Sequence, residues 1–241
     1  MQCKLCHLEA ELRNSHVIPE FHYVPLYDKK HRFHIISTNL EKKEGIEQKG
    51  IREKLLCDKC EQRLSRWESY AKKVIFDEES FLVGRNGNII RIGGIKYKEF
   101  KLYLLSLIWR MGISSLDAFS EVSLGPYEEK LRTALLNENP GSSAHYPVLL
   151  TAVLFEKKFR QEWILPPELV KVGNKHCYRF LLSGVLYSFF VTDKKFLFDV
   201  SKASINEDGT FLMNVEHLEN IPFLLDRVIA HSKVLNLKKI A

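Results

Sequence analysis

Two C-x-x-C pairs, Cys3/Cys6 and Cys57/Cys60, contain four of the five cysteines in this chain of 241 residues. Each pair can present two thiolates from one tight turn, and two such pairs complete a tetrahedral zinc site. A shared ion would join the N-terminus to residue 57, so this spacing constrains the fold more than any other feature. The alternative is four ordinary buried cysteines.

We expect this zinc to be structural, because four thiolates leave no open position for chemistry. His7 directly follows Cys6 and is an alternative ligand, although a surface histidine is the simpler interpretation. Cys177 stands alone in an apolar stretch and is predicted to be a core residue.

The composition is typical of a soluble globular protein, with 45% hydrophobic and 27% charged residues. The longest apolar stretch, residues 180–192, is too short to span a bilayer, so no membrane association is expected. The N-terminus leads directly into Cys3, which predicts no signal peptide and a cytoplasmic location. In a reducing compartment, paired cysteines indicate a metal site rather than disulfides.

The formal net charge of +6 permits nucleic-acid binding without requiring it. Basic residues are denser around the second cysteine pair than elsewhere, which favours a polyanionic partner over a merely solvated surface. They are Lys42, Lys43, Lys49, Arg52 and Lys54 before the pair, and Arg63, Arg66, Lys72 and Lys73 after it.

The predicted class is α+β, with a zinc-stapled N-terminal domain over residues 1–84 and a mixed α+β accessory domain over residues 85–241. In the first domain, the pattern predicts strands over 16–27 and 31–38, a loop over 39–54 and a helix over 58–76. The glycines between 83 and 94 mark the boundary.

In the second domain, helices are predicted over 99–111, over 126–136 and from residue 215 or 219 to 235. Strands are predicted over 147–155, 159–165, 176–182 and 185–192. Pro166 and Pro167 are expected to form a rigid bend. No catalytic motif is visible in this domain, which leaves a nucleic-acid, protein-partner or homodimer role open.

The run Ser15-His16-Val17-Ile18-Pro19 lies between the cysteine pairs. With those pairs, it resembles the HNH, or ββα-metal, nucleases, in which a histidine ends the first strand of a hairpin within a motif close to D-H-hydrophobic-hydrophobic-P. The resemblance covers residues 3–70. It implies a ββα-metal finger and places a metal ligand on the helix directly after the second cysteine pair, where Glu61 stands.

The resemblance implies phosphodiester hydrolysis, with DNA favoured over RNA as substrate. His16 would be the general base, and Glu61 would bind a catalytic Mg²⁺ or Mn²⁺. Glu68 lies seven residues further along the helix and would join the ion directly or through water. The alternative for His16 is a structural histidine. Glu61 could instead be a carboxylate that the helix N-terminus favours, and Glu68 could be a solvated helix residue.

The chain departs from the family pattern at two points. Ser15 replaces the acidic residue that usually precedes the histidine, and Asn14 would face the other side of the strand. The family's intermediate asparagine has only Asn39 as a counterpart. His34 is the best secondary metal-site candidate. Either the ligands are relocated or catalysis has been lost.

The sequence therefore predicts a metal-dependent endonuclease, of a kind that resembles effectors of anti-phage or mobile-element systems. The alternative is a catalytically silent zinc-binding module that binds nucleic acid or a partner protein. The departure at Ser15 favours the silent module, and His16 with Glu61 favours the enzyme.

Overall fold

The computed structural model of the chain describes residues 1–35, 45–47, 50–77, 81–172, 175–193 and 200–234. Helices and strands are mixed along these residues, so the predicted α+β class is confirmed. None of the helices in the described ranges is long and apolar enough to cross a membrane.

The N-terminal part combines short strands with one long helix. The strands are β1 (Leu12–His16), β2 (Phe33–Ile35), β3 (Gly45–Glu47) and β4 (Arg52–Cys57), and helix α1 (Asp58–Phe76) follows directly. β1 pairs antiparallel with β4, and β2 pairs antiparallel with β3. The bounds of α1 agree with the prediction, because its buried residues recur at helical spacing.

The strand predicted over 16–27 is wrong. β1 ends at residue 16, and 3₁₀ turns follow at Glu20–His22 and Val24–Leu26. Pro19 precedes the first turn and Pro25 lies in the second, and proline has no N–H to give to a strand ladder.

The other two N-terminal predictions hold only in part. The strand expected over 31–38 is reduced to β2 within the described residues, and positions 36–38 lie outside them. The segment expected to be a loop over 39–54 contains β3 and the start of β4. Asn39, Lys42, Lys43 and Lys49 lie outside the described residues.

The rest of the chain forms a large sheet and four more helices. Its elements are β5 (Leu82–Asn86), β6 (Ile89–Ile92), α2 (Tyr97–Ile113), α3 (Tyr127–Leu136), β7 (Val148–Phe155), β8 (Lys158–Phe159), β9 (Ile164–Val172), β10 (Lys175–Leu182), β11 (Val185–Phe190), α4 (Val200–Ala203), β12 (Phe211–His217) and α5 (Pro222–Val234). The strand order is β5-β6-β12-β7-β11-β10-β9, and β8 also pairs with β7. Among the described strands, β12 and β7 are the one parallel pair.

The glycine-rich segment predicted as a boundary contains the hairpin of β5 and β6, which turns at Gly87 with φ +56°. Two other predictions for this part are corrected. Pro166 and Pro167 lie inside the edge strand β9, where the register with β10 shifts and proline is tolerated. Residue 215 lies in β12, and the last helix starts at Pro222.

Helix α2 lies at the centre of the molecule. Every residue from Phe100 to Met111 is buried, because α1, α3 and side chains of the sheet, such as Phe211 against Phe100, pack on α2. Buried side chains from both sides of residue 84, such as Trp67 of α1 and Leu104 of α2, belong to this one core. A smaller core around Leu181 and Leu224 lies under α5.

Lys101 of α2 is fully buried, and its Nζ donates a hydrogen bond to the carbonyl oxygen of Tyr146 at 2.6 Å. In the described part of the chain, no carboxylate lies within ion-pair distance of this ammonium group. Burial lowers the pKa of Lys101 to about 7. An unpaired buried charge is costly, so this side chain opposes folding whenever it is protonated in the unfolded chain.

We expect Lys101→Met to raise the free energy of unfolding at pH 7 by on the order of 3 kcal/mol. Between pH 7 and 10.5 the unfolded wild type holds a proton that the folded protein lacks, so wild-type stability rises with pH. The gain from the substitution should therefore shrink towards pH 10 in urea titrations. Lys98→Met, at an exposed position of the same helix, is the control and should have little effect. A gain that does not vary with pH would contradict this account.

Candidate metal centre and the adjoining carboxylates

The four paired cysteines converge on one point. The Sγ atoms of Cys3, Cys6, Cys57 and Cys60 all lie within 4.8 Å of one another, and the Cys6 and Cys57 sulfurs are 3.9 Å apart. Tetrahedral zinc, with Zn–S bonds of about 2.3 Å, needs sulfurs about 3.8 Å apart. The cluster can therefore hold a metal ion such as zinc.

The first cysteine turn is held against β4 by main-chain hydrogen bonds. The His7 N–H donates to the Cys3 carbonyl at 2.9 Å, which closes the turn, and the Lys4 N–H donates to the Leu55 carbonyl at 3.0 Å. His7 adopts φ +60° and is exposed. In the described part of the chain, the group of converging ligand atoms consists of the four cysteine sulfurs and does not include His7.

The cysteine environment favours a thiolate at Cys3. Burial works against ionisation, but hydrogen bonds from the backbone of Cys6, Cys57 and Leu5 outweigh it and lower the pKa of Cys3 to about 7. Burial raises the pKa of Cys60. A bound cation would favour all four thiolates, as zinc does in sites of this composition.

The β1–β4 ribbon consists of residues 12–16 and 52–57. A β-bulge in this ribbon determines which side chains lie on each of its two faces. Arg13 pairs with Leu56 but Asn14 pairs with Lys54, so Leu55 is the extra residue. Beyond the bulge, paired residues share a face. Ser15 is buried and its partner Glu53 accepts hydrogen bonds from Ser114 and Ser115 after α2, so this pair faces inwards.

His16 is the last residue of β1, and its side chain lies on the outer face of the ribbon with that of Arg52. Its Nε2 accepts a hydrogen bond from Arg52 Nε at 2.9 Å, and Glu20 Oε2 lies 3.9 Å from the same nitrogen. An imidazole nitrogen that accepts this bond carries a lone pair, which is the form a general base requires.

Glu61 lies in the first turn of α1, and its Oε1 is buried with no hydrogen-bond partner among the residues that the structure describes. Burial raises the pKa of this carboxyl group, while the Ser15 hydroxyl and the charge of Arg110 act in the opposite direction. The structure therefore brings Glu61 to Ser15, the residue next to His16. The imidazole itself points to the other face.

Glu68 faces Arg110, a residue of α2 that the sequence patterns did not single out. Arg110 Nη1 lies 2.7 Å from Glu68 Oε1 and donates to the His16 carbonyl oxygen at 2.8 Å. The guanidinium group is 1% exposed, and its Nη2 has no hydrogen-bond partner. The sequence feature that could have indicated Arg110 is its position as a basic residue in the last turn of an apolar helix. Arg110 joins the end of β1 to α1 and α2.

Another buried histidine and two arginines of the basic residues on α1 lie apart from these carboxylates. His22 is fully buried between the Ser183 hydroxyl at 2.8 Å and the Tyr103 hydroxyl at 2.7 Å, and burial lowers its pKa to about 3. Arg63 and Arg66 pair with Glu138 after α3.

Two further predictions concern single side chains. Cys177 is buried in β10, in agreement with its predicted core role. His34 lies in β2, whose side chains are outside the described part of the structure, so its role stays a prediction.

The chain was compared with known proteins in three ways, and none of the comparisons found a match. Neither the models of known protein families, nor curated proteins, nor solved structures match this chain.

Proposed function

We propose that this protein is a metal-dependent endonuclease of the HNH type that hydrolyses phosphodiester bonds in DNA. The observation that carries the proposal is the buried Oε1 of Glu61 beside the end of β1, for which the described residues provide no hydrogen-bond partner. A buried carboxylate oxygen without a donor is costly, and a hard divalent cation would satisfy it.

The order of elements supports the proposal. A strand that ends in His16, a second strand paired with it, and a helix that begins at the second cysteine pair occur together around the cysteine cluster. This is the order that the resemblance implies for a ββα-metal finger. The segment between the two strands also includes β2 and β3.

Each site residue has a defined task in the proposed reaction. Glu61 would hold Mg²⁺ or Mn²⁺, and the ion would stabilise negative charge on the phosphate and leaving oxygens. His16 Nε2 would accept the proton of the attacking water once Arg52 turns from the imidazole to the phosphate. Because the imidazole lies on the face opposite Glu61, both groups would have to reach the same phosphate around the end of β1. Glu68 keeps Arg110 in place and so positions the end of β1.

A second candidate function is a catalytically silent zinc module that binds nucleic acid or a protein. The ion pair of Glu68 with Arg110 favours it, because a fixed guanidinium already compensates one of the two predicted carboxylates. Ser15 favours it as well, since a hydroxyl is a weak ligand for Mg²⁺. The placement of the His16 imidazole and the Glu61 carboxylate on opposite faces of β1 also favours it. DNA as the substrate and a role in anti-phage or mobile-element systems rest on the resemblance alone.

Cleavage of supercoiled plasmid with and without added Mg²⁺ or Mn²⁺ tests the two candidates. We expect nicking only with the ion, and we expect Glu61→Gln to abolish it while the zinc content stays unchanged. Glu11→Gln, at an exposed position before β1, is the matched control. Equal cleavage by Glu61→Gln and wild type would remove Glu61 from the mechanism. DNA binding without any cutting would favour the silent module.

A further inference from the structure

On the His16 side of the bulge, the outer face of the β1–β4 ribbon carries four side chains that contain hydrogen-bond donors. The register pairs His16 with Arg52 and Asn14 with Lys54, and members of a pair share a face. Asn14 and Lys54 are exposed, and the side chains of His16 and Arg52 are 18% and 26% exposed. These four side chains form one patch, with two of them on each of the two antiparallel strands.

A carboxylate already lies against this face. Glu20 Oε2 is 3.8 Å from Arg52 Nη2 and 3.9 Å from His16 Nε2, and the Glu20 side chain is 53% exposed. These distances are too long for direct hydrogen bonds, and exposed ion pairs of this kind contribute about 0–1 kcal/mol. Another anion can therefore displace Glu20 at little cost.

The opposite face of the ribbon is already occupied. Ser15 is buried, and Glu53 accepts hydrogen bonds from both hydroxyl groups and one main-chain N–H of Ser114 and Ser115. The inner face thus fixes the ribbon on α1 and α2, and the outer face points away from the core with its cationic and amide groups.

We propose that the outer face, defined by Asn14, His16, Arg52 and Lys54, binds the phosphate backbone of DNA. In the free protein, Glu20 holds the position of one substrate phosphate. This inference rests on the proposed function, because it identifies how the substrate approaches His16. Phosphate groups match the charge and the donor pattern of this face, and backbone contacts of this kind supply affinity without sequence selection.

The binding of a fluorescent DNA duplex in the absence of divalent ions tests the inference. Loss of one phosphate contact in Lys54→Ala should weaken binding several-fold and lower the slope of log affinity against log salt by about 1. Glu20→Gln should tighten binding, because the internal competitor loses its charge. Lys72→Ala, at an exposed position on α1, is the control and should bind like the wild type.

Equal affinity and salt dependence in Lys54→Ala, Glu20→Gln and wild type would overturn the assignment of this face, even if the protein cuts DNA. Tighter binding of an RNA duplex of the same sequence would overturn DNA as the ligand. Weakened binding by Lys54→Ala in a protein that never cuts DNA would support the face and refute the proposed hydrolysis.

Discussion

Replacement of His16 by alanine is expected to lower the rate of Mg²⁺-dependent DNA cleavage by roughly 10²- to 10⁴-fold, the usual contribution of a general base. The Nε2 of His16 accepts a hydrogen bond from Arg52, so a basic lone pair is present at the position where the proposed reaction needs it. Single-turnover cleavage at saturating protein isolates the chemical step from substrate binding.

The substitution should leave the fold intact, because His16 is at a strand end and its hydrogen bond with Arg52 contributes about 1 kcal/mol. His217→Ala, at an exposed position in β12, is the matched control and should cleave like the wild type. If both variants cleave equally fast, the imidazole of His16 has no part in the hydrolysis.

Replacement of Cys57 by serine is expected to release the zinc and unfold the N-terminal part of the chain. Structural zinc contributes on the order of 10 kcal/mol of apparent folding free energy, and three remaining thiols bind it much more weakly. The loss should reach β1 and α1, because Cys57 is the last residue of β4 and its N–H donates to Cys3 Sγ at 3.3 Å.

Zinc content by elemental analysis and thermal unfolding by circular dichroism measure this effect. Cys177→Ala is the control, because it removes a buried thiol that lies outside the cysteine cluster. It should keep the zinc and lose only the stability of one core side chain. Retained zinc and an unchanged melting profile in Cys57→Ser would show that the four thiols are ordinary core residues.

The four-cysteine cluster and α1 could be predicted from the sequence because both are encoded by spacing. The C-x-x-C pairs need only short turns, and Leu64, Trp67, Ala71 and Val74 recur at the helical period. β1 could not be predicted in the same way. Its five residues, Leu12–His16, include one apolar side chain, so the strand depends on its pairing with β4 rather than on its own pattern.

The candidate site could be predicted only where its residues belong to a local motif. His16 and Glu61 adjoin recognisable segments, but Arg110 is contributed by a helix that is distant in sequence. Its role appears only when α2 packs on α1 and β1, because its partners Glu68 and the His16 carbonyl oxygen belong to those other elements. The same holds for Glu53, whose partners Ser114 and Ser115 follow α2.

The most direct test of the account is anomalous scattering from crystals grown with zinc and soaked in Mn²⁺, measured on both sides of each absorption edge. The account predicts a zinc peak among the four cysteine sulfurs and a manganese peak within coordination distance of Glu61 Oε1. A zinc peak with no manganese at Glu61 would contradict the proposed hydrolysis and leave the silent module as the better description.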